Sequence, residues 1–305
     1  MLGWTCCGWG EPKMVYEVSE EELVYGSAGE LELMGQWYRP KVPDGASIPV
    51  IIEVHGGAWY SGDRFSGRYY NQALAAAGCG VLAIDFRHGP DYQHPAATAD
   101  IAASVRFVKR NSGRLGVDPS GIALAGSSSG GHLALLVGLN GDVAQHRTTR
   151  VMIGDSLASD EETSAAVDCV VALWPVTNPL ARYQYAHSFK SSTPRDRGNW
   201  IPERLAGGHD AYFGSQQTMH AASIQRMVFE GDFQRLPPVL LVQPELDQNV
   251  PVFMSRTLAG AYELAGGSLQ LSLYQAVGHG FAHRPGPATD ACVAEMLEFI
   301  RDHVA

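Results

Sequence analysis

The stretch Ile122-Ala123-Leu124-Ala125-Gly126-Ser127-Ser128-Ser129-Gly130-Gly131-His132-Leu133-Ala134-Leu135 decides the fold. Its opening apolar run reads as a short buried strand, and residues 132–139 read as a helix. Between them lies G-x-S-x-G, which is a nucleophile elbow when a strand precedes it and a helix follows. The demand is steric. So tight a turn holds its central residue in a strained backbone conformation. Residues two places to either side must then be small, or they collide with the strand and the helix. Gly126 and Gly130 meet that demand, and Gly131 adds room. The following helix aims its first N–H groups back at the turn, where they favour negative charge. A Ser/Gly-rich loop produces the same letters by chance, but the flanking elements argue against that here. Ser127 and Ser129 are hydroxyls on a turn that can cap the helix. Ser128 alone holds the central place, as the candidate nucleophile.

Apolar runs and helical patterns alternate on both sides of the elbow. Residues 49–54, 80–85, 121–125, 166–173, 238–242 and 269–274 read as strands, and 31–38 alternates like an edge strand. Residues 69–77, 98–109, 252–265 and 291–304 read as helices; Ile101, Val105 and Val108 fall on one face of the second. Continuous apolar strands separated by helices predict a mostly parallel central sheet with helices on both faces. Its crossovers would be right-handed, and its ligand would sit at the carboxyl ends of the strands. Two segments, 141–162 and 176–236, break the alternation. The second is long, polar and rich in His, Tyr, Arg and Gly. A long irregular insert is usually functional or disordered. It reads as a cap over the site, with a loose surface excursion as the alternative. The expectation is a single domain over 1–305, with 1–30 as an N-terminal arm and 176–236 as a cap insert.

Three further motifs end strands. His55-Gly56-Gly57-Ala58-Trp59 follows the first buried strand. Its glycines let backbone amides turn towards a substrate oxygen, as an oxyanion loop requires; a plain Gly-Gly turn is the alternative. His55 precedes the nucleophile, whereas this fold's order is serine, acid, histidine, so it reads as a structural histidine tying the loop down. Pro244-Glu245-Leu246-Asp247-Gln248-Asn249-Val250-Pro251 offers two carboxylates just past a strand end. Asp247 is preferred to Glu245 because it lies further along the loop and has fewer rotamers to freeze. Gly278-His279-Gly280-Phe281 carries a histidine whose small neighbours let the imidazole swing to the serine, as a general base must. His283 and His303 read as surface histidines without a catalytic role.

The bulk composition narrows the partners. The chain has 305 residues and a formal net charge of −10. An acidic chain without a Lys/Arg run is a poor partner for nucleic acid or an anionic membrane. Five cysteines, Cys6, Cys7, Cys79, Cys169 and Cys292, show no C-x-x-C spacing, which argues against a disulfide framework or a structural zinc site. A reducing cytoplasm is the expected compartment. Residues 1–13 make a poor signal peptide, and no stretch has the length of a transmembrane helix. Cys6-Cys7 is a conceivable acylation site; beside Trp4 and Trp9 it reads instead as an apolar arm packed on the body or on a partner subunit, so a homodimer is a further expectation.

Together these residues resemble the α/β-hydrolase superfamily, from about Leu31 to the C-terminus, with the insert after Val176 matching least. They are most similar to the hormone-sensitive-lipase-like carboxylesterases and the related acetyl-esterase and kynurenine-formamidase types. His55-Gly56-Gly57 matches that branch's HGG loop, and Asp85-Phe86-Arg87 with Pro95-Ala96-Ala97 is similar to its D-Y-R…P-A-A segment. The resemblance implies that the oxyanion amides are those of Gly57, Ala58 and Ser129, with Gly56 shaping the loop. The departures are Ala58-Trp59 in place of a third glycine, Ser127 and Ser129 in a G-D-S-A-G elbow, and Pro244 in place of a glycine. They bear on the substrate and leave the triad intact.

The expected activity is a serine carboxylesterase acting on small to medium acyl esters, with Ser128, Asp247 and His279 as its triad and Trp59 and Trp174 walling an apolar pocket. No metal or organic cofactor is needed. An amidase, formamidase or lactonase on the same triad is the alternative, and a non-catalytic binding protein on a hydrolase scaffold is a remoter one.

Overall fold

Strand and helix assignments follow from where apolar side chains can be buried. The structure, a computed structural model, describes residues 15–43, 45–46, 48–188 and 202–304. In chain order the strands are β1 (Val18–Ala28), β2 (Leu31–Pro40), β3 (Val50–Val54), β4 (Gly80–Ile84), β5 (Ile122–Ser127), β6 (Arg150–Ile153), β7 (Ser156–Ala158), β8 (Cys169–Leu173), β9 (Val239–Pro244) and β10 (Leu269–Tyr274). The helices of the first half are α1 (Arg68–Ala76), α2 (Ala96–Arg110), the single turn α3 (Ser112–Leu115) and α4 (Ser129–Asn140). Those of the second half are α5 (Pro179–Ser188), α6 (Pro202–Phe213), α7 (Gln216–Ala221), α8 (Ile224–Glu230), α9 (Val252–Leu264) and α10 (Pro287–His303).

The strands form one sheet in the order β10-β9-β8-β5-β3-β4-β2-β1-β6-β7. Neighbours from β10 to β4 are parallel, and those from β4 to β7 are antiparallel. Every residue of β3, β4, β5, β8 and β9 is buried, which explains their near-continuous apolar sequences. Helices α2, α4 and α9 pack on one face, through Ile101, Leu136 and Leu258 among others. Helices α1 and α10 cover the other, through Leu74, Met296 and Ile300.

The chain leaves β3 for β4 on one side, then returns to β5 and continues outward to β8, β9 and β10 on the other. The winding therefore reverses between β3 and β5. That reversal opens a crevice at their carboxyl ends, where Val54 is in register with Gly126.

Three local expectations change. Residues 31–38 are not an edge, because β2 lies between β4 and β1. The covering strand β1 falls in the stretch expected to be an arm. Glu20-Glu21-Glu22 hides it in the sequence, yet antiparallel pairing with β2 and ion pairs such as Glu22–Arg64 (3.0 Å) and Glu20–Arg68 (3.1 Å) hold it. Segment 141–162 carries the β6–β7 pair that extends the sheet beyond β1. Residues 1–14, including Cys6-Cys7, and residues 189–201 of the expected cap lie outside the described residues. Among the described residues no helix is long and apolar enough to cross a membrane.

Candidate active site

The elbow closes as its glycines require. A Cβ on Gly126 would lie 2.5 Å from the Gly130 carbonyl oxygen, and one on Gly130 would lie 2.0 Å from that of Val54. No side chain fits either gap. Ser128 sits at φ 55° and ψ −117° at the head of α4. Such a conformation persists only where the surroundings over-determine it. Here the Ser128 N–H donates to the Leu173 carbonyl at 2.8 Å, and its own carbonyl accepts from His132 (3.2 Å) and Val176 (3.1 Å).

Three sheet-end loops bring the expected residues into one line. Ser128 Oγ lies 3.1 Å from His279 Nε2, and His279 Nδ1 lies 2.8 Å from Asp247 Oδ2. An ionised carboxylate only accepts, so Nδ1 carries the proton and Nε2 is left to take one from the serine. The Asp247 side chain is wholly buried, and its Oδ1 accepts from the amides of Asn249 (2.8 Å) and Val250 (2.9 Å). Glu245 is exposed, and its backbone N–H is spent on the Tyr274 carbonyl. The choice between the two carboxylates is thus made by the bend after β9, which turns Asp247 inward.

The loop after β3 lies against the elbow. A Cβ on Gly56 would be 3.0 Å from the Ser127 carbonyl oxygen and 3.3 Å from Ser128 Cβ. Gly57, Ala58 and Trp59 have φ of 124°, 54° and 64°. The amides of Tyr60 and Ser61 close this turn on the Gly57 carbonyl, and those of Gly57 and Ala58 take no part in it. The Ser129 amide is the first of α4, a position without an intrahelical acceptor. His55 does not approach the serine. Its Nδ1 donates to the Gly56 carbonyl at 2.7 Å, its ring stacks on Phe86, and burial pushes its pKa down to about 4. It is a neutral strut for the loop.

Neither expected pocket tryptophan presents a face to open space. Trp59 is 1% exposed; its Nε1 donates to His132 Nδ1 at 3.2 Å, and its ring meets His209 and Phe213. Trp174, also 1% exposed, backs the His279 imidazole with ring centroids 6.0 Å apart. His283 is half-buried rather than fully exposed. It packs against Trp174 and Tyr70, and burial, aided by His279, lowers its pKa to about 4.

Two buried groups near the site escaped sequence reading. Glu53 in β3 accepts from Tyr70 Oη at 2.5 Å and Asn71 Nδ2 at 3.3 Å, and desolvation raises its pKa to about 7. An acidic residue in an apolar strand was the available signal. Arg182 in α5 is buried beside the Asp247 loop; one arginine in a polar segment carries no such signal. Among the described residues no cluster of three or more His, Cys, Asp or Glu side chains is arranged to hold a metal.

The sheet order, the elbow at the switch point and the serine–histidine–aspartate line define an α/β-hydrolase fold. Known structures agree: a Thermogutta terrifontis esterase with bound propionate superposes with a TM-score of 0.67 at 24% identity, covering 95% of this chain and 96% of that one. A bacterial heroin esterase gives a TM-score of 0.73 at 22% identity, covering 94% and 85%. The BD-FAE family model matches residues 36–262, and the chain belongs to that family. In sequence it is similar to esterase LipC of Mycobacterium tuberculosis, 29% identical over 290 residues, which covers 90% of this chain and 64% of LipC. It is also similar to carboxylesterase NlhH of the same organism, 34% identical over 127 residues, which covers 41% of this chain and 40% of NlhH. The chain thus spans less than two thirds of the length of either relative.

Proposed function

We propose that this protein is a serine carboxylesterase acting on small to medium acyl esters. Ser128 Oγ attacks the acyl carbon while His279 Nε2 takes its proton. The amides of Gly57, Ala58 and Ser129 receive the oxyanion, usually the largest single catalytic contribution. His279 returns the proton to the leaving alcohol as the C–O bond breaks. Water, deprotonated by the same imidazole, then releases the acid. Asp247 holds the imidazole tautomer and stabilises its cationic form. The observation that carries this reading is the unbroken hydrogen-bonded line from buried Asp247 through His279 to Ser128. The esterase relatives LipC and NlhH support it.

The same reading takes the chain as one hydrolase domain with 176–236 as its cap. Ala186 of α5 and Leu205 of α6 form one buried apolar cluster with Ala58, which limits the room beside the oxyanion loop and favours short acyl groups. The described cysteines are free and buried, in keeping with the cytoplasm. The test is a panel of p-nitrophenyl esters, aryl formamides and lactones, with a fluorophosphonate probe. The expected result is covalent labelling and fastest turnover of short esters. Faster aryl-formamide cleavage would replace the esterase with a formamidase, and an unlabelled protein would end both readings.

A further inference from the structure

The cap meets the catalytic line through the side chain of Arg182. This residue is 1% exposed, and a guanidinium so buried is costly unless it is paired. Among the described residues it forms no ion pair. Its Nε donates to the Asn249 carbonyl at 3.0 Å, and its Nη1 finds no acceptor. Its guanidinium carbon stands 5.9 Å from the Trp59 ring centroid, a cation–π contact with the loop after β3. Burial lowers its pKa to about 10, opposed by the attraction of Asp247. An apolar side chain would fill this place at lower cost, so the charge calls for a reason.

Asn249 supplies one. Its carbonyl is held by Arg182, while its own amide and that of Val250 hold Asp247 Oδ1. The other oxygen of that carboxylate holds His279. A continuous path therefore runs from α5 to the base. We propose that Arg182 is a positioning residue for the catalytic acid: by fixing the Asn249 carbonyl it keeps the two amides on Asp247 and so sets the His279 imidazole for proton transfer. This inference rests on the esterase reading above.

The charge leaves a signature that packing alone would not. Arg182 attracts Asp247, so its neutralisation is expected to move the acidic limb of the rate profile. The titratable groups facing the pair are His283 beyond His279, Tyr185 on α5, and His209 on α6, whose pKa burial and Arg182 hold well down. Removing the Arg182 charge also eases protonation of His209, though burial, the larger cause, still holds that ring's pKa down.

The test is the pH–rate profile of the full chain on a short p-nitrophenyl ester, for the wild type and for Arg182→Met, Arg182→Gln and Arg182→Lys. Arg182→Met is expected to lose roughly tenfold or more in kcat with KM little changed, as misplacement of a catalytic group does, and Arg182→Gln, which keeps a donor, to lose less. Their acidic limb should move to higher pH by several tenths of a unit. Arg182→Lys should return the limb to its wild-type position and recover part of kcat. Arg182→Gln keeps a donor for Asn249 and decides the matter if the Met variant does not fold. A wild-type limb in every variant, or a Lys variant shifted as far as the neutral ones, overturns the proposal. A wild type that cleaves no ester removes the esterase reading instead.

Discussion

The sheet-end loops and the proposed cap contribute to the candidate site in opposite ways. Among the described residues the non-glycine positions with positive φ are Ala58, Trp59, Ser128, Trp174 and Ala276. All stand in loops beyond the carboxyl ends of β3, β5, β8 and β10. The described cap helices α5 to α8 contain no such residue. They supply contact instead. A Cβ on Gly208 of α6 would lie 2.5 Å from the Ala58 carbonyl oxygen, and Arg182 of α5 holds the loop of Asp247. Strained backbone costs about 1–3 kcal/mol per residue and survives only under outside restraint. The difference teaches that the loops carry the reactive geometry while the cap supplies part of the restraint.

The largest expected effects come from the loops. Ser128→Ala should lower kcat by about 10⁴-fold or more without unfolding the protein, leaving residual rate from the oxyanion amides. Kinetics with thermal melts check this, and a Ser127→Ala or Ser129→Ala variant that is the silent one would show the elbow misassigned. Next, Asp247→Asn should keep the shape of the site but favour the wrong imidazole tautomer, at a cost of about 10⁴-fold in kcat. Glu245→Gln, at an exposed position, should cost little. Equal losses in the pair would mean that the two carboxylates substitute for each other.

The cap should respond more mildly. Alanine at Gly208 must displace the Ala58 carbonyl or the Tyr60 ring, which its Cβ would meet at 2.5 and 2.7 Å. At neighbouring Gly207 a Cβ meets nothing within 4 Å. Gly208→Ala should therefore lower kcat by roughly ten- to a hundredfold, the scale of a small misplacement near the chemistry. Gly207→Ala should keep full activity and gain up to about 1 kcal/mol from helix propensity. If both variants are fully active, the oxyanion loop does not depend on the cap.

The smallest effect on rate, though a measurable one on stability, belongs to Glu53 beneath the elbow. Its folded-state pKa is raised from 4.5 to about 7 by desolvation, with the Tyr70 and Asn71 hydrogen bonds opposing. A raised value means that the neutral form suits the fold. Its contribution is complete below the unfolded value and is lost as pH rises through the folded one, at most about 3 kcal/mol in all. The unpartnered Asn71 Oδ1 fits a protonated partner once the amide is flipped. Glu53→Gln should accordingly melt a few degrees above the wild type at pH 8 and show no gain near pH 4. An equal gain at both pH values would assign the effect to packing rather than ionisation.

Much of the molecule was legible in the sequence because its signals are local. Strands β3, β5, β8 and β9 are buried on both sides, so composition alone marks them. The elbow is legible because contact between residues four apart, Gly126 and Gly130, excludes side chains whatever surrounds them. Strand β1 was missed because its outward glutamates read as solvent-exposed chain, and its partner strand and arginines lie elsewhere in the sequence. Trp59 and Trp174 were expected to wall a pocket, since an aromatic residue beside a catalytic motif does not reveal which way its ring turns.

The sequence by itself therefore determined the parallel sheet, the elbow and the candidate identities of Ser128, His279 and Asp247. Only the tertiary structure decided that Asp247 rather than Glu245 reaches the imidazole, that both indoles turn inward, and that Arg182 of the cap holds the loop of Asp247. The physical reason is range. A tight turn or an apolar strand is dictated by neighbours in the chain. A buried carboxylate or guanidinium is dictated by which distant group arrives to share its desolvated place, and Arg182 and Asn249 are 67 residues apart in the chain.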